Sequence, residues 1–327
     1  MLAYAFRRSL FVVPFALAAA TLAFALLELA PGDPTDHLLG DRPVPPEIRE
    51  RIERAYGLDR GPVERYAVWL ASIVRGDLGW SHSRARPVAR LLVDTLPATL
   101  LLSGTALVVQ ALFGLALGVA GAARHGRGLD RVLGAGSLAL CAMPAFWVGL
   151  MAILVFSYLL PLFPSSGMRA PGTADGALLA RVTDLARHLV LPACVLGLTS
   201  AAAMSRFVRA SVVEALGQGF VRAARARGLT ERRVLVGHAL RSGLGPVLTL
   251  TALSLPVLVS GSLVVEVVFS WPGMGRLTYE AILAKDVSVV LASTLLSAAL
   301  VAAGSLGADL ALAALDPRVR LARAAGP

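Results

Sequence analysis

The side chains best equipped for chemistry sit in one short stretch, ARARGLTERRVLVGHALRSGLGP at residues 224–246, where five arginines are gathered. Guanidinium groups grip carboxylates and phosphates through paired N–H donors. That chemistry serves three different ends: a hairpin that reads DNA, a loop held by its charge on one side of a membrane, or a helix that docks on a partner. Elsewhere the residues needed for catalysis are missing or scattered. Lys285 is the only lysine and follows Ala284, so no Gly-Lys-Ser/Thr phosphate loop exists and the chain is no P-loop ATPase. Neither His-Glu-x-x-His nor Gly-x-Ser-x-Gly occurs. His37, His82, His125, His188 and His238 are too dispersed for a local metal-ligand set. These observations assign no catalytic residue and no metal ligand, and the chain is read as a non-enzyme.

The elements that carry the arginines are apolar. Of 327 residues, 56% are hydrophobic and 16% charged, against about 25% charged in an ordinary soluble chain. Six stretches, approximately 10–30, 98–122, 132–160, 188–205, 246–268 and 288–310, approach or exceed the roughly 20 apolar residues that cross a bilayer. The fourth is the shortest and is polar at both ends. The first follows Arg7 and Arg8, as a signal peptide would, but its apolar run is too long and no clear small-x-small cleavage site precedes PGDP at 31–34. It is read as an uncleaved membrane helix. Cys141 and Cys194 fall inside spans and are read as small packing residues. Glu266 and Asp309 are expected near span ends, where a charge costs less than at mid-membrane. With so few titratable groups in the spans, the chain reads as a passive pathway driven from outside itself.

Arginine also orients the chain, because basic residues accumulate in short cytoplasmic loops. With the N-terminus inside, the cytoplasmic segments hold Arg7 and Arg8, then Arg124, Arg127 and Arg131, then eight arginines in 206–241, then Arg318, Arg320 and Arg323. The expectation is six spans with both ends cytoplasmic. The division is 1–30 (tail and first span), 31–97 (extracytoplasmic subdomain), 98–310 (five further spans) and 311–327 (cytoplasmic tail). Within the subdomain, PPEIRERIERAYGL (45–58) and VERYAVWLASIV (63–74) read as helices and RGDLGWS (75–81) as loop. The basic hairpin, about 207–245, reads as two amphipathic helices. The first carries an apolar stripe from Val212 through Ala224 and stops at Gly228; the second starts near Glu231 with Thr230 as N-cap. Some 40 residues tied to the membrane at both ends cannot lie freely in a DNA groove, so no nucleic acid is expected. Charge retention and partner docking both remain open on composition alone.

Several stretches together resemble the permease subunits of bacterial oligopeptide and dipeptide ABC importers, a family that includes nickel and glutathione permeases. In order they are PGDP (31–34), GLDRGPVERYAVWL (57–70), RGDLGWS (75–81), LPATLLL (96–102), MPAFWVGL (143–150), RHLVLPACVLGL (187–198), the long stretch 208–249, VEVVFSWPGMGRL (265–277), AILAKD (281–286) and LDPRVR (315–320). The resemblance implies an all-α, six-span fold of the type I importer permease, with the subdomain between spans 1 and 2 and a cytoplasmic EAA coupling hairpin between spans 4 and 5. Arg222, Ala223 and Ala224 occupy the place of the Glu-Ala-Ala triplet, arginine replacing glutamate, and Gly228 is its glycine. The interval from Gly228 to Pro246 is longer than the general motif and suits the peptide subgroup. DVS at 286–288 and Ser305 also depart from the family pattern.

The residues implied for ATPase coupling are Glu214, Gly217, Phe220, Arg222, Ala223, Ala224, Arg227 and Gly228, with Ala223, Ala224 and Gly228 small enough for close approach to a partner. Those implied for contact with a binding protein or for the gate are Trp80, Trp271, Pro272, Gly273 and Gly275, Pro272-Gly273 forming a turn that breaks span five. Implied partners are a second homologous permease (a heterodimer), two cytosolic ABC ATPases, an extracytoplasmic solute-binding protein and the lipid bilayer of the bacterial inner membrane. No cofactor is expected in this chain; ATP and Mg belong to the ATPases. Di- or oligopeptide is the favoured cargo, with nickel or glutathione as alternatives. A stand-alone channel or secondary transporter is the alternative of a different class.

Overall fold

The computed structural model describes residues 2–29, 59–173, 176–241, 251, 254 and 262–315, and these are overwhelmingly helical. In chain order they form α1 (Leu2–Leu29), α2 (Pro62–Val74), β1 (Trp80–Ser81), β2 (Arg86–Pro87), α3 (Val88–Ala123), α4 (Gly128–Ala142) and α5 (Ala145–Ile153, continued by π-helical turns Leu154–Leu159). Then come α6 (Leu178–Leu216), α7 (Gly219–Ala226), α8 (Glu231–Arg233, continued by π-helical turns Val234–Leu240), α9 (Met274–Leu283) and α10 (Val287–Leu315). Residues 262–268 add a further helical segment before α9. Two compact units result, 1–99 with 272–300 and 100–271 with 301–327.

In the first unit, Val88, Leu91 and Leu92 of α3 pack with Met274, Leu277 and Ala281 of α9 and with Val289, Val290 and Ala292 of α10. RGDLGWS is not all loop: Trp80 and Ser81 pair antiparallel with Pro87 and Arg86. The short hairpin is fastened by Asp286, which is buried. Its carboxylate accepts from Ser81 Oγ (2.6 Å), Ser83 N (3.0 Å) and Ser83 Oγ (2.9 Å), and its Oδ1 lies 3.4 Å from Val289 N in the first turn of α10. One buried carboxylate thereby caps a helix and holds a turn some 200 residues upstream, which satisfies donors that would be costly to bury unpaired. The helix expected at 63–74 is present as α2, whereas the one at 45–58 lies outside the described residues.

In the second unit, glycines set the approach of α3 to α6. A Cβ on Gly118 would stand 2.5 Å from Val208 Cβ and 2.7 Å from the Ser205 carbonyl, and one on Gly197 would stand 2.7 Å from the Ala106 carbonyl. Those distances are below van der Waals contact, so only a missing side chain permits the packing. Ser137 of α4 and Ser205 of α6, both buried, sit 3.1 Å apart, Oγ to Oγ.

Among the described residues, three helices are long and apolar enough to span a membrane: Val88–Ala123, Leu178–Leu216 and Val287–Gly307. The outer face of α3 is apolar, with Val108, Leu112 and Phe113 all exposed. That is the inverse of a water-facing surface. The expected third span is bent: α4 and α5 meet at 103°. Met143 precedes Pro144 and is forced to extended backbone (ψ 134), so the helix stops at Ala142 and Pro144 opens the next one. The fourth span, expected to be the shortest, belongs to the longest helix among the described residues, 39 residues. Most of the expected fifth span lies outside the described residues. Glu266, expected near a span end, is fully buried and accepts from Ser262 Oγ at 3.0 Å. Cys141, expected as packing, is exposed on α4.

Candidate functional site

The arginine-rich hairpin is built on a shared core. α6 ends at Leu216, and Gly217 and Gln218 turn the chain into α7, so the stripe expected on one helix is divided between two. Val221 and Ala224 of α7, both 0% exposed, enter a cluster made by Met204, Val208, Val212 and Ala215 of α6, Ala122 at the end of α3, and Val234 and Ala239 of α8. With 3.6 residues per turn, burying positions 221 and 224 turns Gly219, Arg222, Ala223 and Ala226 to the opposite face. Phe220 and Arg227 flank that face, and all six residues are exposed.

This phase corrects one expectation. Ala224 does not offer its small side chain to a partner; it lets α7 lie against its own support. Ala223 is the outward member of the pair. Glu214, Gly217, Phe220, Arg222, Arg227 and Gly228 are exposed as well.

The turn after α7 follows the expected logic. Gly228 has φ +76, its N–H donates to Arg225 O (2.9 Å), and Leu229 N–H donates to Ala224 O (3.4 Å). This is the paired 5→2 and 6→1 closure of a Schellman stop. Thr230 occupies the N-cap of α8 in extended backbone but makes no side-chain cap bond. The turn is closed instead by Arg225, whose Nε and Nη2 grip the two carboxylate oxygens of Glu231 at 2.8 and 3.1 Å. That grip holds the Glu231 carboxyl below its ordinary pKa. Arg225 is thus spent inside the hairpin. Among the described residues no carboxylate pairs with Arg222, Arg227, Arg232 or Arg233, which leaves four guanidinium groups for an outside acceptor.

The outer-loop residues separate on burial. Trp80 is 51% exposed, whereas Trp271 is 0% exposed. Trp271 closes the 262–268 helical segment: its N–H donates to Glu266 O (2.8 Å) and that of Ser270 to Val267 O (3.2 Å), with Ser270 at φ +50. The stop is again a Schellman closure, with serine where glycine would be strain-free. Gly273 is the N-cap of α9, Gly275 lies in its first turn, and Pro272 is exposed. The break expected at Pro272-Gly273 is therefore present and extends over 269–273. α9 ends the same way at Lys285, φ +52, with Asp286 N–H bonded to Ala281 O at 2.8 Å. Beside it, burial lowers the pKa of His82 against the attraction of Asp286. Asp286, Ser81 and Ser83 were not singled out from the sequence. The available signal was an acidic residue directly ahead of the apolar VSVVL run, in N-cap position.

The model of the binding-protein-dependent transport system inner membrane component family matches residues 112–321, which include α4 through α9 and the whole hairpin. The chain belongs to this family. It is 37% identical over 98% of its length, and 99% of the relative's, to the oligopeptide transport system permease protein AppB of Bacillus subtilis (strain 168). Identity is 33% to the dipeptide transport system permease protein DppB of Escherichia coli (strain K12), again covering 98% of this chain and 99% of the relative. The structure is also similar to that of the MetNI methionine ABC transporter in inward-facing conformation, with TM-score 0.53 and 19% identity, covering 70% of this chain and 97% of that one. The fold of a type I importer permease is thereby shared, and the expectation of a membrane-embedded transport component stands.

Proposed function

We propose that this chain is one permease subunit of an ATP-driven peptide importer, and that α7 is the surface on which a cytosolic ABC ATPase docks. A homologous second permease completes the pathway, a solute-binding protein delivers peptide at the outer face near Trp80, and ATP with Mg is held by the ATPases. The observation that carries the reading is the construction of α7: a small-residue face of Gly219, Ala223 and Ala226, rimmed by Arg222, Arg227 and Phe220, standing on a closed core. Small residues allow close approach, and guanidinium groups that meet no carboxylate among the described residues supply charge for acids at a groove's rim. Peptide as cargo is supported by relatives named as oligopeptide and dipeptide permeases and matched over 99% of their length.

The mechanism follows from the shared core. Val221 and Ala224 interlock with Val208 and Val212 of α6 and with Ala122 of α3, and α3 in turn meets α6 across Gly114, Gly118 and Gly197. A packed core moves as a body instead of deforming continuously. When ATP binding closes the ATPases, a pull on α7 is carried into two membrane spans, which shifts the pathway between outward and inward access. Placing cysteine at Ala226 of the assembled transporter, with a second cysteine in the ATPase groove, tests this. The expected result is a permease–ATPase adduct whose yield changes with ATP. An assembled complex that forms no adduct from position 226, yet forms one from another cytoplasmic loop, refutes α7 as the docking element.

A further inference from the structure

A cleft of about 570 Å³ opens between α4 and α6, walled by Arg131 and Gly134 on one side and Ala203, Arg206, Phe207 and Ala210 on the other. Its only acid is Asp130, and that acid is committed. It accepts from Arg209 Nη2 (2.8 Å) and from Gly126 N (2.9 Å), and Arg209 Nε also bonds it. Asp130 and Arg209 therefore neutralise one another. Arg131 and Arg206 remain, both exposed, and no carboxylate pairs with either among the described residues. Apolar surface adjoins them: Phe207, which lines the cleft, is 55% exposed, and Leu138, outside the cleft and two helical turns beyond Arg131 on α4, is 57% exposed. Gly134, Ala203 and Ala210 add little bulk to the walls.

Two cations without a carboxylate partner among the described residues, beside the exposed apolar side chains Phe207 and Leu138, match a molecule with an anionic head and a hydrocarbon tail. Both walls are helices of membrane spans, and arginines at such positions lie where helices leave the hydrocarbon and meet lipid phosphates. A free phosphate would use the arginines and leave Phe207 and Leu138 uncovered; a packed protein helix would need to bring carboxylates to the same depth. We propose that this cleft binds an anionic phospholipid, its phosphate between Arg131 and Arg206 and an acyl chain along Phe207 and Leu138. The assignment rests on the permease reading, which places α4 and α6 in a bilayer.

The test uses the chain expressed with its cognate permease and ATPases. The complex is exchanged from phosphatidylglycerol-containing nanodiscs into lipid-free detergent, and retained phosphatidylglycerol is quantified by mass spectrometry. Arg131→Gln and Arg206→Gln should each lower retention roughly fivefold, and together roughly twenty-fivefold, from the loss of one or two interfacial cations. Arg181→Gln, at the opposite end of α6 from the cleft, should retain the wild-type amount. Equal loss in Arg181→Gln, or displacement by inorganic phosphate alone, would overturn the lipid assignment. So would efficient capture of the second permease by a cysteine crosslinker at Ala203. ATPase co-purification is scored in the same preparation. A wild-type complex that keeps its ATPases and no phosphatidylglycerol sinks the lipid site alone, whereas failure of the permease reading appears as ATPases that never join.

Discussion

Adjacent alanines on α7 should respond to tryptophan in opposite ways. Ala223 is exposed, and an indole there meets solvent in the isolated permease; surface substitutions of this kind shift stability by less than about 0.5 kcal/mol. Ala224 is 0% exposed among Val221, Val234, Ala239 and Val208. An indole forced into that filled cluster costs about 1–3 kcal/mol, and more if α7 must detach. For a unit of 150–250 residues this is a fall of roughly 2–12 °C in Tm. Ala223→Trp should therefore melt within about 2 °C of wild type but lose its ATPases, because the indole occupies the space a groove wall needs. Ala224→Trp should lose both stability and ATPases. Thermal unfolding of purified permease, ATPase co-purification and peptide uptake are measured on the same two variants. Normal uptake with retained ATPases in Ala223→Trp would refute the outward face as the docking surface. An unshifted Tm in Ala224→Trp would refute the hairpin core itself.

The glycine contacts predict a sign change along one helix. Gly118→Ala should lower stability by about 1–3 kcal/mol, since the new methyl meets Val208 and a Ser205 carbonyl, while Gly104→Ala, with nothing within 4 Å, should gain up to about 1 kcal/mol of helix propensity; a melting comparison decides it. Gly228→Val should destabilise the hairpin by about 1–2 kcal/mol, because φ +76 disfavours a β-branched residue, and Gly228→Asn should lose less, as read by protease sensitivity at 225–235. Glu231 has a folded pKa below its unfolded value through its bond to Arg225. Its contribution is thus fully present above the unfolded carboxylate range and is lost as pH falls through the folded value. Glu231→Gln should remove that acid-side dependence of hairpin protection, and high salt should weaken the wild-type effect.

What the sequence determined by itself was local chemistry and its statistics. The low charge content, the length of the apolar runs and the clustering of arginine identified a membrane chain and its basic hairpin, because bilayer thickness and charge retention act on composition directly. Gly228 as a helix stop was equally legible, since a left-handed residue selects glycine on local sterics. Met143-Pro144 carried its break in the residue types, although the 103° angle required the surrounding spans.

Other features depended on contacts far apart in sequence. Whether Ala223 or Ala224 faces outward turned on where Gly217 breaks α6, and on Ala122 arriving from α3 to complete the cluster. Trp271, expected among the binding-protein or gate contacts, is buried behind a helix stop at Ser270, φ +50, which local sequence did not signal. Asp286 looked like one more loop acid until the fold carried Ser81 and Ser83 to it. Periodicity states that a helix has two faces; only the packed neighbours decide which of them is covered.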